Sequence, residues 1–372
     1  MDILQGLDYN LVEHVALASV FDFFQGSTYL KALLHTKPYT FEYSDVPDPV
    51  VGDDDVLVRI KACGICGSDI HGFTGKTGRR LPPLIMGHEA AGIVADTGKN
   101  VEGFAKGDRV CFDSTVYCNK CEACMNGRYN HCDKRQVLGV SVPSFKRHGT
   151  FAEYVAVPWW IVFKISEDLS FVDAALLEPA AIGTHAANRA PITADDTVAI
   201  IGAGTIGLFI LQGCRLRGAA KIIVADINEF RLDLARQLGA DIVVNPLESD
   251  LRETVLAETK GKGADVTLEA VGYAKTFADA VSLAKVGGYV VAVGNLEKKA
   301  EFDLQQLIAR ELTFTGSYAS SGEFRQCIDL VASGKINVEP LISEVLPLEE
   351  GPGAFERLLK AEENLLKIVL EP

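Results

Sequence analysis

The pattern of hydrophobic and polar positions changes partway along this 372-residue chain. Over residues 31–163, short aliphatic runs are broken by Gly, Pro and Asp, as around residues 56–60 and 90–94. Such runs predict β-strands joined by loops, and long helical periodicity is scarce here. We therefore expect this half of the chain to form a β-rich barrel or sandwich.

From about residue 180, apolar strand-like runs alternate with amphipathic helical ones. The predicted strands span residues 197–201, 221–226, 241–245, 265–269 and 289–293, and the predicted helices end near residue 217 or span 229–238 and 274–285. Strands and helices that alternate at this length predict an α/β fold with a parallel, doubly wound sheet.

After about residue 310 the alternation ends. The sequence predicts a strand at 312–314, helices at 322–333 and 355–362, and a last strand at 367–370. The parallel-sheet domain is therefore expected to be an insertion, with both ends of the chain building the other domain. The predicted divisions are an extension over 1–30, a β-rich domain over 31–180 completed by 311–372, and an α/β domain over 181–310.

The composition limits the binding partners and the cellular compartment that we expect for this chain. Residues 1–30 hold no Lys or Arg, so the cationic start of a secretory signal is missing. The formal net charge of −14 argues against binding to nucleic acid or to an anionic membrane, and no apolar run approaches the roughly 20 residues that cross a bilayer. The nine cysteines cluster at metal-binding spacing, which indicates a reducing cytoplasm; disulfides are the alternative for four of them.

A glycine motif marks a dinucleotide site. Gly202, Gly204 and Gly207 follow a predicted strand and open a helix, and Asp226 ends the next strand, which is the context that this motif requires. Asp226 would accept hydrogen bonds from a ribose and repel a 2′-phosphate, so the cofactor is predicted to be NAD. The alternative is a plain strand–helix turn. The other residues expected at the cofactor are Thr205, Ile206 and Arg231.

Two cysteine-containing clusters indicate zinc. Four thiolates at short spacing can wrap one tetrahedral structural zinc: Cys118, Cys121, Cys124 and Cys132. A catalytic zinc instead keeps three protein ligands and an open position. Cys66 and His88 offer two of these ligands. Glu178 and Glu89 compete for the third place, and spacing alone does not choose between them.

The residues around Cys66 suggest roles in alcohol oxidation. Zinc would lower the pKa of a substrate hydroxyl, and the released proton could leave through Ser68 and His71. Asp69 is expected to hold the imidazole of His88. The alternatives are a turn hydroxyl for Ser68 and a surface histidine for His71. The remaining cysteines are expected to be buried core thiols: Cys63, Cys111, Cys214 and Cys327.

From about residue 31 to its end, the chain resembles the zinc-dependent medium-chain dehydrogenase/reductase family, and within it the polyol (sorbitol-type) dehydrogenases. The motifs that carry the resemblance are Cys66-Gly-Ser-Asp-Ile-His71, Gly87-His-Glu89, the four-cysteine run, Glu178-Pro179 and Gly202–Gly207. The resemblance implies a GroES-like catalytic domain interrupted by a Rossmann domain that binds NAD. It also implies two zinc ions per chain, a small polyol-type substrate, and a homodimer or homotetramer.

By resemblance, the catalytic zinc ligands are Cys66, His88 and Glu178, and Glu89 binds the zinc or hydrogen-bonds to its water. Thr184, with the adjacent His185, is expected near the nicotinamide; for His185 the alternatives are metal binding and a plain core position. The pocket walls are expected to come from Phe73, residues 141–148 and residues 316–318.

The identity of the polyol stays open. Sorbitol-type enzymes carry an Arg-Tyr pair where this chain has Ala319-Ser320, which puts sorbitol in doubt. Lys146-Arg147-His148 could bind a phosphate or carboxylate, or form a solvated loop. The alternative functions are a threonine, butanediol or polyol-phosphate dehydrogenase, a zinc-free quinone or enone reductase, and a non-catalytic zinc and nucleotide binder.

Overall fold

The computed structural model describes residues 29–362 and 364–372. Of the predicted extension over 1–30, all but the last two residues lie outside the described part of the chain. The strands are β1 Tyr29–Lys37, β2 Thr40–Pro47, β3 Asp55–Gly64, β4 Leu84–Ile85, β5 Glu89–Thr97, β6 Arg109–Phe112, β7 Thr115–Val116, β8 Gln136–Val137, β9 Val140–Val142, β10 Phe145–Arg147, β11 Tyr154–Pro158, β12 Val162–Lys164, β13 Thr197–Ile201, β14 Lys221–Ala225, β15 Ile242–Val244, β16 Ala264–Glu269, β17 Ala284–Ala292, β18 Thr313–Gly316, β19 Ile342–Pro347 and β20 Lys367–Glu371.

The helices fall mainly in the second half of the chain, as the hydrophobic pattern predicts. They are α1 Gly67–Phe73, α2 Glu122–Met125, α3 Phe171–Ala175, α4 Leu177–Asn188, α5 Thr205–Leu216, α6 Glu229–Gln237, α7 Leu251–Glu258, α8 Ala274–Leu283, α9 Leu304–Ala309, α10 Glu323–Ala332 and α11 Gly351–Leu359. Within the described ranges, no helix is long and apolar enough to span a membrane.

The β-rich part of the chain is built on a mixed sheet. Its strands run in the order β12-β6-β5-β3-β20-β19, and β11 also pairs with β3. The antiparallel register sets Gly64 of β3 opposite Glu89 of β5, and Val369 of β20 is also opposite Gly64. The last strand of the chain is therefore built into the first domain, beside the segments that carry Cys66 and His88.

The second sheet is parallel, with the order β15-β14-β13-β16-β17-β18. Alternate residues of β13 lie in different hydrophobic cores: Val198 and Ile200 in one, Ala199 and Ile201 in the other. The sheet is thus buried on both faces, which confirms the doubly wound α/β prediction. Strand β13 pairs with β14 on one side and with β16 on the other, and β16 follows β15 in the sequence, so the carboxyl ends of β13 and β16 flank the crevice where such sheets bind ligands.

Three local expectations were wrong or incomplete. Phe73 is a core residue, because its ring stacks on Phe41 at 5.1 Å between centroids and also contacts Phe355. Residues 145–147 form a strand that pairs with β9 and do not form a solvated loop. The sequence did not predict α4, which begins at Leu177 and carries the candidate ligand Glu178 in its first turn.

Candidate active site

The segments that bear Cys66 and His88 meet at the ends of two paired strands. Cys66 is the N-cap residue of α1, just after β3 ends, and His88 directly precedes β5. The candidate ligand atoms of Cys66, His88 and Glu89 all lie within 4.8 Å of one another. Thiolate, imidazole and carboxylate together form a donor set that suits zinc.

Glu178 is not part of this compact group of donor atoms, but it has a free oxygen and responds to the charges of His88 and Glu89. Its carboxyl is buried, and its Oε1 accepts a 2.6 Å hydrogen bond from Ser114 Oγ. Its Oε2 has no hydrogen-bond partner among the described residues. Burial raises the pKa of Glu178 to about 7, and the neighbouring charges of His88 and Glu89 also act on it. A buried carboxylate oxygen without a partner carries a cost that a bound cation would remove.

Glu89, by contrast, already has a cationic partner. Lys367 Nζ donates to Glu89 Oε1 at 2.9 Å and to Oε2 at 2.7 Å, and it also donates to the carbonyl of Ile65 at 2.8 Å. Glu89 and Lys367 are each 1% exposed. The two candidates for the third ligand place therefore differ. Glu89 lies within the tight group of donor atoms but is neutralised by a lysine, whereas Glu178 has an unpaired oxygen.

Asp69 contacts His88, as the sequence analysis expected. Asp69 Oδ2 lies 3.4 Å from His88 Nδ1, and Asp69 Oδ1 accepts from Arg80 Nη2 at 3.2 Å. Burial opposes the ionisation of Asp69, but the contacts with His88 and Arg80 outweigh it and lower the pKa of Asp69 to about 2. Asp69 is thus a carboxylate that can orient the imidazole of His88.

The two predicted proton-relay residues lie on α1 and differ in their contacts. Ser68 is exposed, and its Oγ accepts a 3.3 Å hydrogen bond from Arg80 Nη2. His71 is also exposed, one turn further along the helix. The described residues provide no hydrogen-bond partner for the His71 ring, so its part in a relay stays a prediction.

One compact lobe, residues 118–132, holds the four remaining candidate metal ligands: Cys118, Cys121, Cys124 and Cys132. The sulfur atoms of the four cysteines lie within 4.8 Å of one another, and Cys121 Sγ is 3.4 Å from Cys124 Sγ. Gly127 makes the turn between the third and fourth cysteines with a φ of +71°. A hydrogen bond from the amide of Lys120 is the main cause that lowers the pKa of Cys118 to about 6. This arrangement fits one tetrahedral zinc.

The lobe is attached to the segment that leaves the parallel sheet. Asn130 Nδ2 donates to the carbonyl of Tyr318 at 2.9 Å, and Ser321 Oγ donates to the carbonyl of Gly127 at 2.9 Å. In the same segment, Ser320 Oγ donates to Asp113 Oδ2 at 3.2 Å, next to the serine that binds Glu178. Residues 318–321 therefore connect the lobe to the surroundings of the candidate catalytic zinc.

The glycine motif forms a tight strand–helix turn. A Cβ on Gly207 would lie 1.8 Å from the carbonyl oxygen of Gly202, so only glycine allows helix α5 to pack this closely. Gly204 is the N-cap residue of α5, where an added Cβ would meet nothing within 4 Å. An open helix N-terminus of this kind can receive the pyrophosphate of a dinucleotide. Thr205 and Ile206 form the first turn of α5.

Asp226 follows β14, and its carboxylate accepts a hydrogen bond from this turn. Its Oδ2 accepts from the amide of Ala203 at 2.7 Å, and its Oδ1 accepts from the amide of Asn228 at 3.0 Å. Arg231 lies on α6, and its Nε is buried without a hydrogen-bond partner among the described residues. Asp226 therefore also has a structural task, since it fixes the glycine loop against the end of the neighbouring strand.

Helix α4 carries the residues expected near the nicotinamide. Thr184 is buried, and its hydroxyl accepts from the thiol of Cys327 at 3.4 Å. His185 Nδ1 lies 2.8 Å from Glu323 Oε1, a buried pair between α4 and α10. The structure also adds three residues that the sequence analysis missed: Arg80, Ser114 and Lys367. The one sequence signal was the lysine at the start of the apolar strand 367–370, which could have indicated a buried acidic partner such as Glu89.

Comparison with known proteins identifies relatives along most of the chain. The family described as "Alcohol dehydrogenase GroES-like domain" matches residues 52–167, and "Zinc-binding dehydrogenase" matches residues 205–333. The chain is 34% identical to a sorbitol dehydrogenase of Bacillus subtilis (strain 168), over 92% of this chain and 96% of that one. It is 36% identical to an L-idonate 5-dehydrogenase of Vitis vinifera, over 79% and 81% of the two chains. The solved structure of an alcohol dehydrogenase from Escherichia coli CFT073 in complex with NADH has a TM-score of 0.85 and 30% identity, over 93% of this chain and 100% of that one.

Proposed function

The chain belongs to the zinc-dependent alcohol dehydrogenases of the medium-chain dehydrogenase/reductase family, and from this premise we propose that it oxidises a secondary alcohol of a polyol to the ketone with NAD. The observation that carries the proposal is the unpaired Oε2 of buried Glu178, whose carboxyl is close enough to His88 and Glu89 for their charges to act on it. Glu178-Pro179 is also one of the motifs by which the chain resembles the polyol dehydrogenases.

We propose Cys66, His88 and Glu178 as the catalytic zinc ligands. Glu89, which is neutralised by Lys367, would remain outside this set. The four cysteines of the lobe would hold the second zinc. The donor sets of both sites suit this metal, and the carboxylate oxygen left without a hydrogen bond supports Glu178 over Glu89.

When bound, the catalytic zinc supplies Lewis acidity that lowers the pKa of a substrate hydroxyl. The side chains of the protein do the remaining work. Ser68 accepts the hydroxyl proton, and His71, which is exposed on the same helix, passes it to solvent. Asp69 orients the imidazole of His88. The turn over Gly202–Gly207 and Asp226 would hold NAD, which would supply the acceptor for the substrate hydride, and Thr184 would lie near its nicotinamide.

The substrate class follows from the relatives and from two local features. The B. subtilis relative is named for sorbitol, an uncharged polyol, whereas the V. vinifera relative is named for idonate, which carries a carboxylate. Ser320, where sorbitol-type enzymes have a tyrosine, is buried and donates its hydrogen to Asp113, so that hydrogen is not available to a substrate hydroxyl. Arg147 has a buried Nε without a described partner, which favours an acidic polyol as the second candidate.

We also propose a homodimer or homotetramer in the cytoplasm, and the domain divisions near residues 180 and 310. Exposed apolar side chains near the open edge strand β18 support self-association: Leu304, Ile308 and Phe314 are 57%, 66% and 44% exposed. Sedimentation of the purified protein tests the oligomeric state.

The decisive experiment is a screen for NAD reduction at 340 nm. The panel should contain neutral sugar alcohols, cyclic polyols, diols, aldonates, polyol phosphates and threonine. We expect turnover with a polyol, and metal analysis should find about two zinc ions per chain. Turnover of threonine or a simple diol alone would refute the polyol assignment. Cys66→Ser is the matched control, because it removes a proposed ligand and leaves the NAD site intact.

A further inference from the structure

Arg80 is a buried cation at the candidate active site to which neither the sequence motifs nor the family resemblance gives a role. It is 6% exposed, although the adjacent Arg79 is exposed. Its Nη2 donates both to Asp69 Oδ1 at 3.2 Å and to Ser68 Oγ at 3.3 Å. One guanidinium nitrogen therefore joins the carboxylate that contacts His88 to the hydroxyl proposed to receive the substrate proton.

The fold holds Arg80 in this place from several sides. Its backbone forms a bridge with Ser141, and the flanking residues Arg79 and Leu81 exchange hydrogen bonds with the same serine. The aliphatic part of its side chain crosses helix α1 at Gly72, where an added Cβ would lie 2.3 Å from Arg80 Cγ. The Asp69 carboxylate offsets the cost of burying the guanidinium, whose Nε has no hydrogen-bond partner among the described residues, and the packing at Gly72 and Ser141 keeps the side chain in this place.

We propose that Arg80 is a positioning residue for proton transfer and that it acts through Ser68. A hydroxyl has one hydrogen and two acceptor positions, and a guanidinium can only donate. Arg80 therefore occupies one acceptor position of Ser68 Oγ and fixes the rotation of the hydroxyl. The second acceptor position and the O–H remain to accept the substrate proton and to pass one on. No bond to Arg80 forms or breaks. The inference rests on the proposed function, because it assumes that Ser68 relays the proton.

A purely structural role is the alternative. Through Asp69, Arg80 could serve only to hold His88 in place for the metal. The two roles differ in one respect. If Arg80 acts through Ser68, its removal matters only while the Ser68 hydroxyl is present; if it only stabilises the metal site, its removal costs the same with or without that hydroxyl.

A double-mutant cycle on kcat separates the two roles. The variants are Arg80→Met, Ser68→Ala and the double variant, with Arg79→Met as the matched control at the neighbouring exposed arginine. We expect Arg80→Met to lower kcat on the order of 100-fold in the wild-type background and less than about 3-fold in the Ser68→Ala background. Arg79→Met should stay within about 2-fold of the wild type. Zinc content, measured on each variant, should be unchanged.

Equal losses of kcat in both backgrounds, or an unchanged kcat in Arg80→Met, would overturn the proposal. If Arg80→Met loses its zinc, the same cycle is run with Arg80→Lys, which keeps a cation beside Asp69. A smaller effect of that variant in the Ser68→Ala background again supports the proposal, and equal effects again refute it. A wild-type enzyme that turns over no polyol refutes the proposed function instead, and the cycle is then measured with whichever alcohol the screen identifies.

Discussion

Replacement of Lys367 by methionine should strongly destabilise the protein. Lys367 Nζ makes hydrogen bonds of 2.7 and 2.9 Å to Glu89 and one of 2.8 Å to the carbonyl of Ile65, and both charged groups are 1% exposed. Methionine preserves the length and apolar character of the side chain. The substitution therefore removes the charge and the donors while leaving the packing nearly intact.

The size of the expected loss in stability follows from the Glu89 carboxylate that remains in the core. Without Lys367, the Glu89 carboxylate stays buried and loses its cationic partner, and removal of one member of a buried pair costs about 3–5 kcal/mol. Lys360→Met is the matched control. Lys360 pairs with Glu356 at 3.7 Å, and both side chains are more than 60% exposed. Loss of that exposed pair should change the free energy of unfolding by less than about 0.5 kcal/mol.

The assay is the free energy of unfolding from urea titration of the zinc-loaded protein, followed by tryptophan fluorescence and by circular dichroism. The double variant Glu89→Gln/Lys367→Met should recover at least half of the loss, since it removes the unpaired charge. A Lys367→Met protein within 1 kcal/mol of the wild type would refute the argument, because Glu89 would then not need a buried cation. A double variant as unstable as the single one would point to lost packing instead.

Three further predictions test other parts of the structure. Cys66→Ser should abolish turnover and leave NAD affinity, measured by calorimetry, within about 2-fold; retained turnover would remove Cys66 from the metal site. Asp226→Ala should lower the kcat/KM preference for NAD over NADP. It should also weaken the binding of both cofactors, because the amide of Ala203 loses its acceptor. An unchanged NAD/NADP ratio of kcat/KM would refute the role of Asp226 in selectivity. Partial desolvation of its ring, and then the charge of Lys146, lower the pKa of His148 to about 4 although the residue is largely exposed, and its Nδ1 accepts from the amide of Ile85. The folded protein resists protonation of His148, so its free energy of unfolding should decrease as pH falls from about 6.5 to 4. This decrease should be smaller in His148→Asn. An unaltered dependence of stability on pH would refute the contribution of His148.

The strand–helix alternation and the glycine motif were readable in the sequence because each depends on local chemistry. Residues 197–201 were predicted as a strand, and β13 has those bounds. Gly207 is required because its Cβ would stand 1.8 Å from the carbonyl oxygen of Gly202, which is only five residues away along the chain. The family resemblance, which the comparisons confirm, also rests on short motifs of this kind.

The contacts between distant segments could not be predicted. Helix α4 begins at Leu177, and no local pattern indicated that its first turn would bring Glu178 beside Ser114. Phe73 was expected to line the pocket, because nothing in its immediate neighbours predicts that its ring stacks on Phe41. Both outcomes depend on packing between parts of the chain that are remote in sequence.

The sequence by itself determined which residues are candidates to bind zinc and NAD, because ligand type, short spacing and the strand–turn–helix context are local properties. Only the tertiary structure decided how the two candidate carboxylates differ. Glu89 is neutralised by Lys367, which is 278 residues away along the chain, while Glu178 keeps an oxygen without a partner. The physical reason is that the charge state and the free donor atoms of a buried carboxylate depend on what folding brings next to it, and those neighbours arrive from the far end of the chain.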